Sequence, residues 1–560
     1  MLMKQRLQPQ TTSFKLPQFS RWGFSIVVIA LLMALPIIVI ASFLFQPANE
    51  NWQHLFDNLL SEYVINSLLL MLGVSAGVLT MGVITAWLTS MCNFPGRRFF
   101  SWSLLLPLAI PAYIIAYTYT GLFDFSGPIQ SQLRDWFGWE YGDYWFPEVR
   151  SLGGAIAMLS LVLYPYVYMM SRAAFLEQSI CVLEVSRTLG NSPLNSFLKV
   201  ALPLARPAIV TGLSLALMET LADFGTVQYF GVDTFTTGIF RTWFGMGDSG
   251  TAAKLSAVLL SFVFALIMLE RWSRSRARFH HTSNKYSRIK RYELTGLRAF
   301  LAFIACLLPV FFGFILPTVQ LLIWTITTAE ENIDTSFFVL VGNSLLLATI
   351  AAVVAVAIAL LLSYGKRLLK SKVINSSVSI ASMGYAVPGT VIAVGVLLPF
   401  AWLDNTIDAW MREHFDLSTG LLLSGTLFAL VFAYTVRFLS VSIQAIDAGM
   451  GKIKHSMDDA GRSMGLSPMR VLKEIHYPLM KGTVLTALLL VFVDVLKELP
   501  ATLIMRPFNF NTLAVRAYEM AADERLADAG APALMIVLTG LLPIILLSRA
   551  ISHSRAGEKK

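Results

Sequence analysis

The sequence predicts an all-α polytopic membrane protein built from two parallel six-helix repeats, and three observations support this fold class. First, 56% of the 560 residues are hydrophobic and only 14% are charged, which is less charge than soluble proteins of this size carry. Second, apolar runs of about 20 residues, the length that crosses the hydrocarbon core of a bilayer, recur along the chain. Third, several short motifs occur twice at a nearly constant spacing of 275 to 277 residues.

Twelve apolar runs qualify as membrane spans, six in each half of the chain. Spans 1 to 6 are predicted at roughly 24–45, 63–90, 99–122, 152–174, 208–230 and 253–270. Spans 7 to 12 are predicted at roughly 299–326, 342–364, 376–403, 419–445, 483–505 and 532–549. A cleavable signal peptide is the alternative for the first run, but the run is long and no clear small-x-small cleavage site follows it. We therefore expect an uncleaved first span.

The distribution of positive charge predicts the orientation of the spans. If the N-terminus is cytoplasmic, most of the 43 Lys and Arg residues lie in cytoplasmic segments and few lie in outer loops. The positive-inside rule therefore places both termini in the cytoplasm. The predicted divisions are a cytoplasmic N-terminal tail at 1–22, a first repeat at 23–270, a basic cytoplasmic linker at 271–298, a second repeat at 299–549 and a cytoplasmic tail at 550–560.

The linker at 271–298 is rich in Lys and Arg, including Arg274, Arg276, Arg278 and Lys290. Nucleic-acid binding is one interpretation of such a run. A connection between two membrane bundles that lies near the anionic headgroups of the bilayer explains the same charges more simply. We therefore expect the lipid bilayer, and no nucleic acid, as the partner of this segment.

The internal duplication extends over the spans themselves. Asn66-Ser67-Leu-Leu-Leu recurs as Asn343-Ser344-Leu-Leu-Leu, and Pro111 in span 3 corresponds to Pro388 in span 9 at the same offset of 277 residues. Both halves have six spans and the same orientation. A parallel repeat of this kind implies a pseudo-twofold axis along the membrane normal, with a pathway between the halves.

One predicted cytoplasmic stretch, here called the elbow, precedes a span in each half. The first elbow is Glu184-Val-Ser-Arg-Thr-Leu-Gly190-Asn-Ser-Pro193, followed by Val200-Ala-Leu202-Pro203, and the second is Asp459-Ala-Gly-Arg-Ser-Met-Gly465-Leu-Ser-Pro468, followed by Ile475-His-Tyr477-Pro478. Gly suits the left-handed position that ends a helix. Ser192 and Ser467 are suited to cap a new helix whose first residue is Pro. An ordinary surface helix–turn–helix is the alternative, but two copies at a fixed spacing favour a shared partner-binding role.

At these residues the chain resembles the permease subunits of bacterial ABC importers. Their cytoplasmic loop carries an acid-Ala-Ala, a Gly and a hydrophobic-x-Leu-Pro pattern, and it docks on the ATPase subunit. This chain departs from the pattern at Val185-Ser186, Asp459, Gly461 and Tyr477. The resemblance implies a type I importer fold and a separate ABC ATPase, expected as a homodimer. It assigns ATPase coupling to Glu184, Gly190, Pro193, Pro203, Asp459, Gly465, Pro468 and Pro478.

Four acidic residues lie in the predicted spans that follow the elbows. Glu219 and Asp223 are in span 5, and Asp494 and Glu498 are in span 11, at the repeat offset of 275 residues. Because the members of each pair are four residues apart, we expect them to share a helix face. Charges at bilayer depth cost about 2.5–3.5 kcal/mol each and persist where they face a cavity or a partner. We therefore predict that the four acids line a translocation pathway.

A structural role is the alternative, with Lys497 and Arg437 pairing with these acids. The pathway interpretation has a chemical consequence, because carboxylate and phenolate oxygens suit hard cations. Oxygen donors from spans 3 and 4 are further candidates, although Tyr more often serves helix packing: Tyr113, Tyr117, Tyr119, Tyr164, Tyr166 and Tyr168. No resident metal or cofactor site is expected.

Longer strings resemble the fused iron(III) permeases within the same class. In the first half they are Leu221-Ala-Asp-Phe-Gly-Thr-Val-Gln-Tyr-Phe-Gly231 and Thr236-Thr-Gly-Ile-Phe-Arg-Thr-Trp-Phe244, and in the second half Lys497-Glu-Leu-Pro-Ala-Thr-Leu503, Arg506-Pro-Phe-Asn509 and Asn511-Thr-Leu-Ala-Val-Arg516. The resemblance covers nearly the whole chain. It implies a bacterial inner-membrane location, an extracytoplasmic substrate-binding protein as a partner, and iron(III) as cargo. Relatives of the same architecture carry thiamine, polyamines, sulfate or phosphonates, so these substrates stay open as alternatives.

Other functional classes are disfavoured by what the sequence contains. No G-x-x-x-x-G-K-[ST] motif occurs, so the energy source is expected on another chain. No catalytic constellation is evident, and we expect no enzyme activity. A proton-coupled secondary transporter with twelve spans is the remaining alternative, but it has no reason to duplicate the elbow.

Three smaller groups of residues complete the sequence-based expectations. The scattered Cys92, Cys181 and Cys306 are expected to be packing residues. His455 and His476 beside the second elbow are expected to be solvated. The aromatic and acidic outer loop 123–151 fits an interfacial belt or a docking surface for the binding protein equally well.

Overall fold

The computed structural model describes residues 21–140, 142–177, 192–275, 291–369 and 371–553, and these are almost entirely helical. Ten helices in these ranges are long and apolar enough to cross a membrane. They are Trp22–Phe45, Leu60–Met91, Leu152–Leu176, Phe197–Ala222, Ser249–Ser273, Gly296–Thr327, Thr335–Leu369, Gly389–Phe415, Leu427–Met450 and Pro468–Leu496. Each overlaps one of the predicted spans, although the bounds of spans 5, 9 and 11 differ by more than ten residues at one end or both.

The predicted spans 3 and 12 are not among these ten helices. Span 3 is a bent pair, Arg97–Ala109 and Ala112–Phe137, with an angle of 91° between its parts. Span 12 corresponds to the helix Gly530–His553, whose side chains are described only as far as Ile545, and the apolar stretch Gly530–Ile545 by itself is too short to count as a span. The described residues therefore support ten or eleven crossings, and the number twelve stays a prediction.

The bend of span 3 and its counterpart in span 9 have the same local cause. In span 3 the helix Arg97–Ser103 leads into the 3₁₀ turn Leu106–Ala109, and Pro111 precedes the helix Ala112–Phe123. In span 9 the helix Lys372–Ala381 leads into the 3₁₀ turn Gly384–Ala386, and Pro388 precedes the helix Gly389–Phe415. Proline restricts the residue before it to extended backbone and lacks an N–H group, so it starts a new helix. The repeated Pro111 and Pro388 therefore mark the same break in each half.

Spans 5 and 11 are also interrupted, each beside a predicted acid. The span 5 helix Leu202–Ala222 ends before Asp223, and a short helix Gly225–Tyr229 follows it. The span 11 helix Tyr477–Leu496 ends before Lys497, and a short helix Pro500–Met505 follows it. The two halves thus contain four broken spans in equivalent positions, two per repeat.

The hydrophobic core shows that the two repeats exchange their first helices. Span 1 contributes Ile26, Ala30 and Ile40 to a cluster made mainly of residues from spans 8 to 11. Span 7 contributes Cys306 and Val310 to the other cluster, which contains spans 2 to 5. Apolar burial therefore ties each half to the other, and the two sequence repeats are not two separate bundles.

Close contacts confirm this exchange. The rings of Trp22 in span 1 and Tyr364 in span 8 meet edge to face, with centroids 5.8 Å apart. The Tyr119 hydroxyl in span 3 donates to the backbone carbonyl of Phe312 in span 7, at 2.7 Å. Cys92 and Cys306 are both buried, as expected for packing residues, and Cys181 lies outside the described residues.

The described end of the linker is attached to the first repeat. Tyr292–Glu293 pairs as a two-residue parallel strand with Cys92–Asn93, which follows the span 2 helix Leu60–Met91. The amide of Asn93 donates to both carboxylate oxygens of Glu293, at 2.8 and 3.1 Å. This attachment places the start of span 7 beside spans 2 and 3, which is where the core exchange requires it.

The helices outside the long spans are short. They lie in the connections between the spans, at Glu50–Asn58, Pro193–Ser196, Phe235–Phe240, Ala329–Asn332, His455–Ser463 and Leu513–Ala522. Five-residue π-helical turns occur at Phe197–Ala201, Arg241–Gly245, Phe311–Ile315 and Leu472–His476.

Candidate functional site

All four predicted pathway acids line one cavity of about 120 Å³. The cavity lies where the broken spans 3, 5 and 11 meet span 4, span 10 and the break of span 9. Its charged lining consists of Glu219, Asp223, Asp494, Glu498, Arg437 and Lys497. Four acids and two bases give the lining a formal charge of −2 at neutral pH. The prediction that the acids come together is confirmed by this geometry, while their role in transport is not tested by it.

Asp223 caps the short helix after the break in span 5. Its Oδ1 accepts hydrogen bonds from the backbone N–H groups of Thr226 and Val227, both at 3.1 Å. Its Oδ2 accepts a bond from the Thr226 hydroxyl at 3.0 Å. The N–H groups of a first helical turn lack partners within the helix, and a carboxylate at this position satisfies them.

Glu498 performs the same capping in span 11. It accepts hydrogen bonds from the backbone N–H groups of Ala501 at 3.0 Å and Thr502 at 3.1 Å, and from the Thr502 hydroxyl at 2.8 Å.

The expectation that each pair of acids shares one helix face was wrong. The helices end at Ala222 and Leu496, so Asp223 and Glu498 lie beyond the helix that carries Glu219 or Asp494.

The two halves differ in how these acids are paired. Arg437 in span 10 donates from Nη1 to Glu498 Oε1 at 3.0 Å, and the side chain of Glu498 is only 2% exposed. Lys497 Nζ lies 2.8 Å from Asp494 Oδ1. Among the described residues, neither Glu219 nor Asp223 forms such an ion pair. The structural pairing that the sequence suggested for Lys497 and Arg437 therefore exists, but only in the second half.

Gly389 is a site residue that sequence reasoning missed. A Cβ atom at this position would lie 2.2 Å from Arg437 Nη1 and 2.6 Å from Glu498 Oε1. Glycine is required because the ion pair sits directly against the backbone of span 9. The available signal was the dipeptide Pro388-Gly389, whose Pro had already been identified as a repeated residue.

Three tyrosines line the cavity, and two of them, Tyr113 and Tyr166, were among the predicted oxygen donors. Tyr113 OH donates to the Lys497 backbone carbonyl at 3.4 Å, and Tyr166 forms a side-chain hydrogen bond with Tyr385. Tyr117, Tyr119, Tyr164 and Tyr168 do not line the cavity and are buried in the packing of spans 3 and 4. In the described part of the chain, no three His, Cys, Asp or Glu residues are grouped closely enough to hold a metal ion.

The second elbow has the predicted local geometry. The helix His455–Ser463 ends at a turn in which Gly465 has φ +77°, and Pro468 begins the next short helix, Pro468–Val471. Ser467 occupies the N-cap position with extended backbone, but its side chain does not accept a capping bond. A π-helical turn at Leu472–His476 then precedes Pro478, because a Pro cannot donate the regular backbone hydrogen bond.

The first elbow is described only in part. Glu184 and Gly190 lie outside the described residues. Ser192 accepts a hydrogen bond from the backbone N–H of Asn195 at 3.2 Å, and Pro193 begins the helix Pro193–Ser196. A π-helical turn at Phe197–Ala201 precedes Pro203, as its counterpart precedes Pro478. The described parts of the two elbows therefore have the same backbone plan.

A buried ionic cluster anchors the second elbow, and the expectation that His476 is solvated was wrong. His476 is fully buried, and its Nε2 lies 2.5 Å from Asp458 Oδ1. Arg367, at the end of span 8, donates to Asp458 Oδ2 at 2.7 Å and to the carbonyls of Met450 and Ile453. His455 is exposed, as expected.

The cluster also distinguishes two neighbouring acids. Burial raises the pKa of Asp458, but the hydrogen bonds from Arg367 and His476 outweigh burial and hold that pKa below its ordinary value. The predicted coupling acid Asp459 is instead exposed and lies 2.7 Å from Arg462. Asp458 therefore stabilises the elbow, while Asp459 faces outward, where a partner is able to reach it.

Two equivalent sets of spans surround one charged cavity, and an elbow precedes span 5 in the first set and span 11 in the second. This arrangement defines a membrane permease. The model of the family described as "Binding-protein-dependent transport system inner membrane component" matches the chain twice, at residues 78–278 and 355–556. The chain belongs to this family. It is a fused permease in which two copies of the family domain form one multi-pass protein of the inner membrane.

Individual relatives support the same assignment. The chain is 26% identical to the Fe(3+)-transport system permease protein FbpB 2 of Haemophilus influenzae over 501 residues, covering 88% of this chain and 91% of that protein. It is 26% identical to the molybdenum transport system permease protein ModB of Escherichia coli, covering 36% of this chain and 88% of that protein. It is 27% identical to the sulfate transport system permease protein CysT of Salmonella typhimurium, covering 37% of this chain and 72% of that protein.

Family membership defines the coarse function. Such chains are transport subunits of ABC importers and are not themselves enzymes. Membership implies an ATPase and a substrate-binding protein as partners, which agrees with the partners expected from the sequence.

Proposed function

We propose that this chain forms the membrane pathway for iron(III) delivered by an extracytoplasmic binding protein. The observation that carries the proposal is the cavity lined by four acids, two from each repeat, at the breaks of spans 5 and 11. The iron(III) permease of Haemophilus influenzae supports it, because the similarity extends over both repeats and most of each chain.

The charge of the cavity favours a cation over an oxyanion. Carboxylate and phenol oxygens are hard ligands that suit hard, highly charged cations. A site for sulfate or molybdate is expected to present an excess of N–H donors and positive charge instead. Here Arg437 and Lys497 are each engaged by an acid, and Glu219 and Asp223 have no ion-pair partner among the described residues. The excess negative charge is therefore in the first repeat.

The elbows are proposed to transmit the closure of an ATPase homodimer to this cavity. In the second half, the elbow leads through the π-helical turn Leu472–His476 directly into the span 11 helix Tyr477–Leu496. That helix carries Asp494 and ends at the break beside Glu498. A displacement of the elbow along the helix axis would therefore reach the cavity without passing through a flexible loop.

Import of an oxyanion is the competing function, because the molybdenum and sulfate permeases are also similar to this chain. Each of these matches covers little more than a third of it. The thiamine and polyamine alternatives stay open, because both cargoes are cationic and an excess of acids does not distinguish them from iron(III). No observation on the cavity favours phosphonate. Proton coupling is disfavoured, because the chain belongs to a family of ABC importer subunits.

Uptake of radiolabelled iron(III) by cells with and without this chain tests the proposal, with molybdate and sulfate measured in parallel. We expect loss of iron uptake alone. A Glu219→Gln/Asp494→Asn double variant should lower iron uptake at normal expression, whereas Glu330→Gln, a change at an exposed acid far from the cavity, should not. If cells without the chain lose molybdate or sulfate uptake and keep iron uptake, the cargo is an oxyanion and the proposal of a cation is wrong.

A further inference from the structure

A second cavity lies at the predicted cytoplasmic end of the first repeat, far from the acid-lined one. It has a volume of about 650 Å³ and is lined by Asn93, Phe94, Gly96, Arg97, Arg98, Arg291 and Glu293. Three arginines and one glutamate give this lining a formal charge of +2. The translocation mechanism does not use any of these residues.

Two of the arginines are fixed in place by the backbone of span 2. Arg97 Nη1 donates to the carbonyl of Thr89 at 3.2 Å, and Arg291 Nε donates to the carbonyl of Ser90 at 3.3 Å. The strand pair between Cys92–Asn93 and Tyr292–Glu293 holds the segment that follows Arg291 beside the segment that leads to Arg97. The guanidinium groups are therefore positioned before a ligand arrives, which reduces the entropy lost on binding.

The fold of the repeat does not require these arginines. At the repeat offset of 277 residues, Arg97 and Arg98 correspond to Ile374 and Asn375 in the second half. Ile374 is buried in the hydrophobic core, and the helix Lys372–Ala381 forms without any Arg at its start. The cluster is thus a feature of one half only, where the linker joins it.

Apolar side chains on the neighbouring helices place the cavity at the edge of the bilayer. Phe99 and Trp102 are exposed on the helix that follows the arginines, and Leu297 and Phe300 are exposed at the start of span 7. An aromatic and aliphatic surface beside fixed positive charge matches the boundary between acyl chains and headgroups. Guanidinium groups bind phosphate oxygens through paired N–H donors.

We propose that this cavity binds the phosphate group of an anionic phospholipid of the cytoplasmic leaflet. The bound lipid holds the linker against spans 2 and 3, where span 7 begins. The proposal is independent of the ion that the permease carries, because it concerns a separate cavity on the lipid-facing surface of the first repeat, at its predicted cytoplasmic end.

The test measures lipid retention by the purified, delipidated protein in detergent. Phosphatidylglycerol and phosphatidylcholine are added separately, and bound lipid is counted by native mass spectrometry, with inorganic phosphate as a third probe. We expect selective retention of phosphatidylglycerol. Arg98→Gln should weaken it by roughly tenfold, since Arg98 is an exposed charged donor at the cavity. Arg98→Lys should restore part of the affinity, because charge is kept while the forked donor is lost.

A matched control exists in the other half. Lys372→Gln removes an exposed charge at the start of the equivalent helix and should leave phosphatidylglycerol binding unchanged. Equal retention of both lipids, or unchanged binding by Arg98→Gln, would overturn the proposal. Arginine-dependent binding of inorganic phosphate without any preference for phosphatidylglycerol would overturn the lipid assignment and leave a site for a soluble phosphate.

Discussion

Asp223 and Glu498, separated by 275 residues, cap equivalent helices that line one cavity. Each carboxylate accepts hydrogen bonds from two backbone N–H groups and one threonine hydroxyl of the short helix that follows it. Among the described residues, Glu498 has an Arg partner and Asp223 has none. The two acids therefore share a structural role at the break, while the charge of Asp223 is left available to the cavity.

The first prediction concerns the buried pair Arg437–Glu498. Glu498→Ala should destabilise the protein by about 3–5 kcal/mol, because it leaves the buried Arg437 without its counter-charge. Arg437→Met/Glu498→Gln removes both charges and should recover most of that loss. A double-mutant cycle on unfolding in detergent measures the coupling.

The matched change in the first half is Asp223→Asn. It disrupts a helix cap without breaking an ion pair and should cost about 1 kcal/mol. Strict additivity of the Arg437 and Glu498 changes, within about 0.5 kcal/mol, would show that the pair is not coupled.

The second prediction concerns the histidines beside Asp458. His476→Ala should loosen the second elbow and abolish stimulation of the partner ATPase, because Asp458 loses a buried partner that ties the elbow to span 11. Hydrogen–deuterium exchange of residues 455–476 reports the loosening. His455→Ala alters an exposed side chain whose Nδ1 lies 3.6 Å from Asp458 Oδ2, and it should have a much smaller effect. If both variants exchange at the wild-type rate, the cluster does not hold the elbow.

The third prediction concerns Gly465. A Cβ there would meet no atom within 4 Å, so crowding is not the reason for glycine. The reason is φ +77°, which costs an L-residue roughly 1–2 kcal/mol. Gly465→Val should therefore uncouple ATP hydrolysis from transport while the protein still inserts, and Gly465→Asn should be tolerated.

Gly482→Ala is the control for this substitution. Gly482 lies within the span 11 helix, has equally open surroundings and should accept Ala without loss. Normal coupling in Gly465→Val would show that the turn does not need the left-handed conformation. From the sequence, the same substitution at Gly190 is predicted to have the same effect.

The fourth prediction concerns a contact between the repeats on the predicted outer side. Arg150 donates to both carboxylate oxygens of Glu524, each at 2.8 Å, and these hydrogen bonds hold the pKa of Glu524 below its ordinary value. Because the pKa of Glu524 is lowered in the folded protein, the stabilisation by this contact is complete at pH values above the ordinary pKa of Glu. It is lost as the pH falls through the lowered pKa. Thermal stability should thus be insensitive to this pair between pH 5 and 8.

Substitution at this contact should have a small effect on stability. Both side chains are partly exposed, so Glu524→Gln should change the free energy of unfolding by less than about 1 kcal/mol. The charge-swapped variant Arg150→Glu/Glu524→Arg should restore only part of the wild-type melting temperature at neutral pH, because its new carboxylate would lie near Asp124, which is 4.0 Å from Arg150. A large destabilisation by Glu524→Gln at pH 7 would indicate a different role for this residue.

The sequence by itself determined the class of protein, the repeat and the elbow geometry. Apolar length reports a membrane span directly, and Gly465 and Pro468 act on the backbone of their own neighbours, so a local pattern suffices to place them. The constant offset also identified the four acids without any structure, because a duplicated charge in an apolar run stands out from its surroundings.

Only the tertiary structure decided the features that depend on distant segments. The exchange of spans 1 and 7 between the repeats follows from the packing of apolar helix faces, which the sequence leaves equally suited to many partners. The burial of His476 depends on span 8, where the ring of Tyr364, 112 residues earlier in the chain, packs edge to face against the imidazole. Asp223 and Glu498 cap the short helices because the long helices end just before them. The apolar pattern within a span does not indicate at which residue the long helix ends. Local backbone chemistry is readable along the chain, whereas burial and charge pairing are set by neighbours that only the fold brings together.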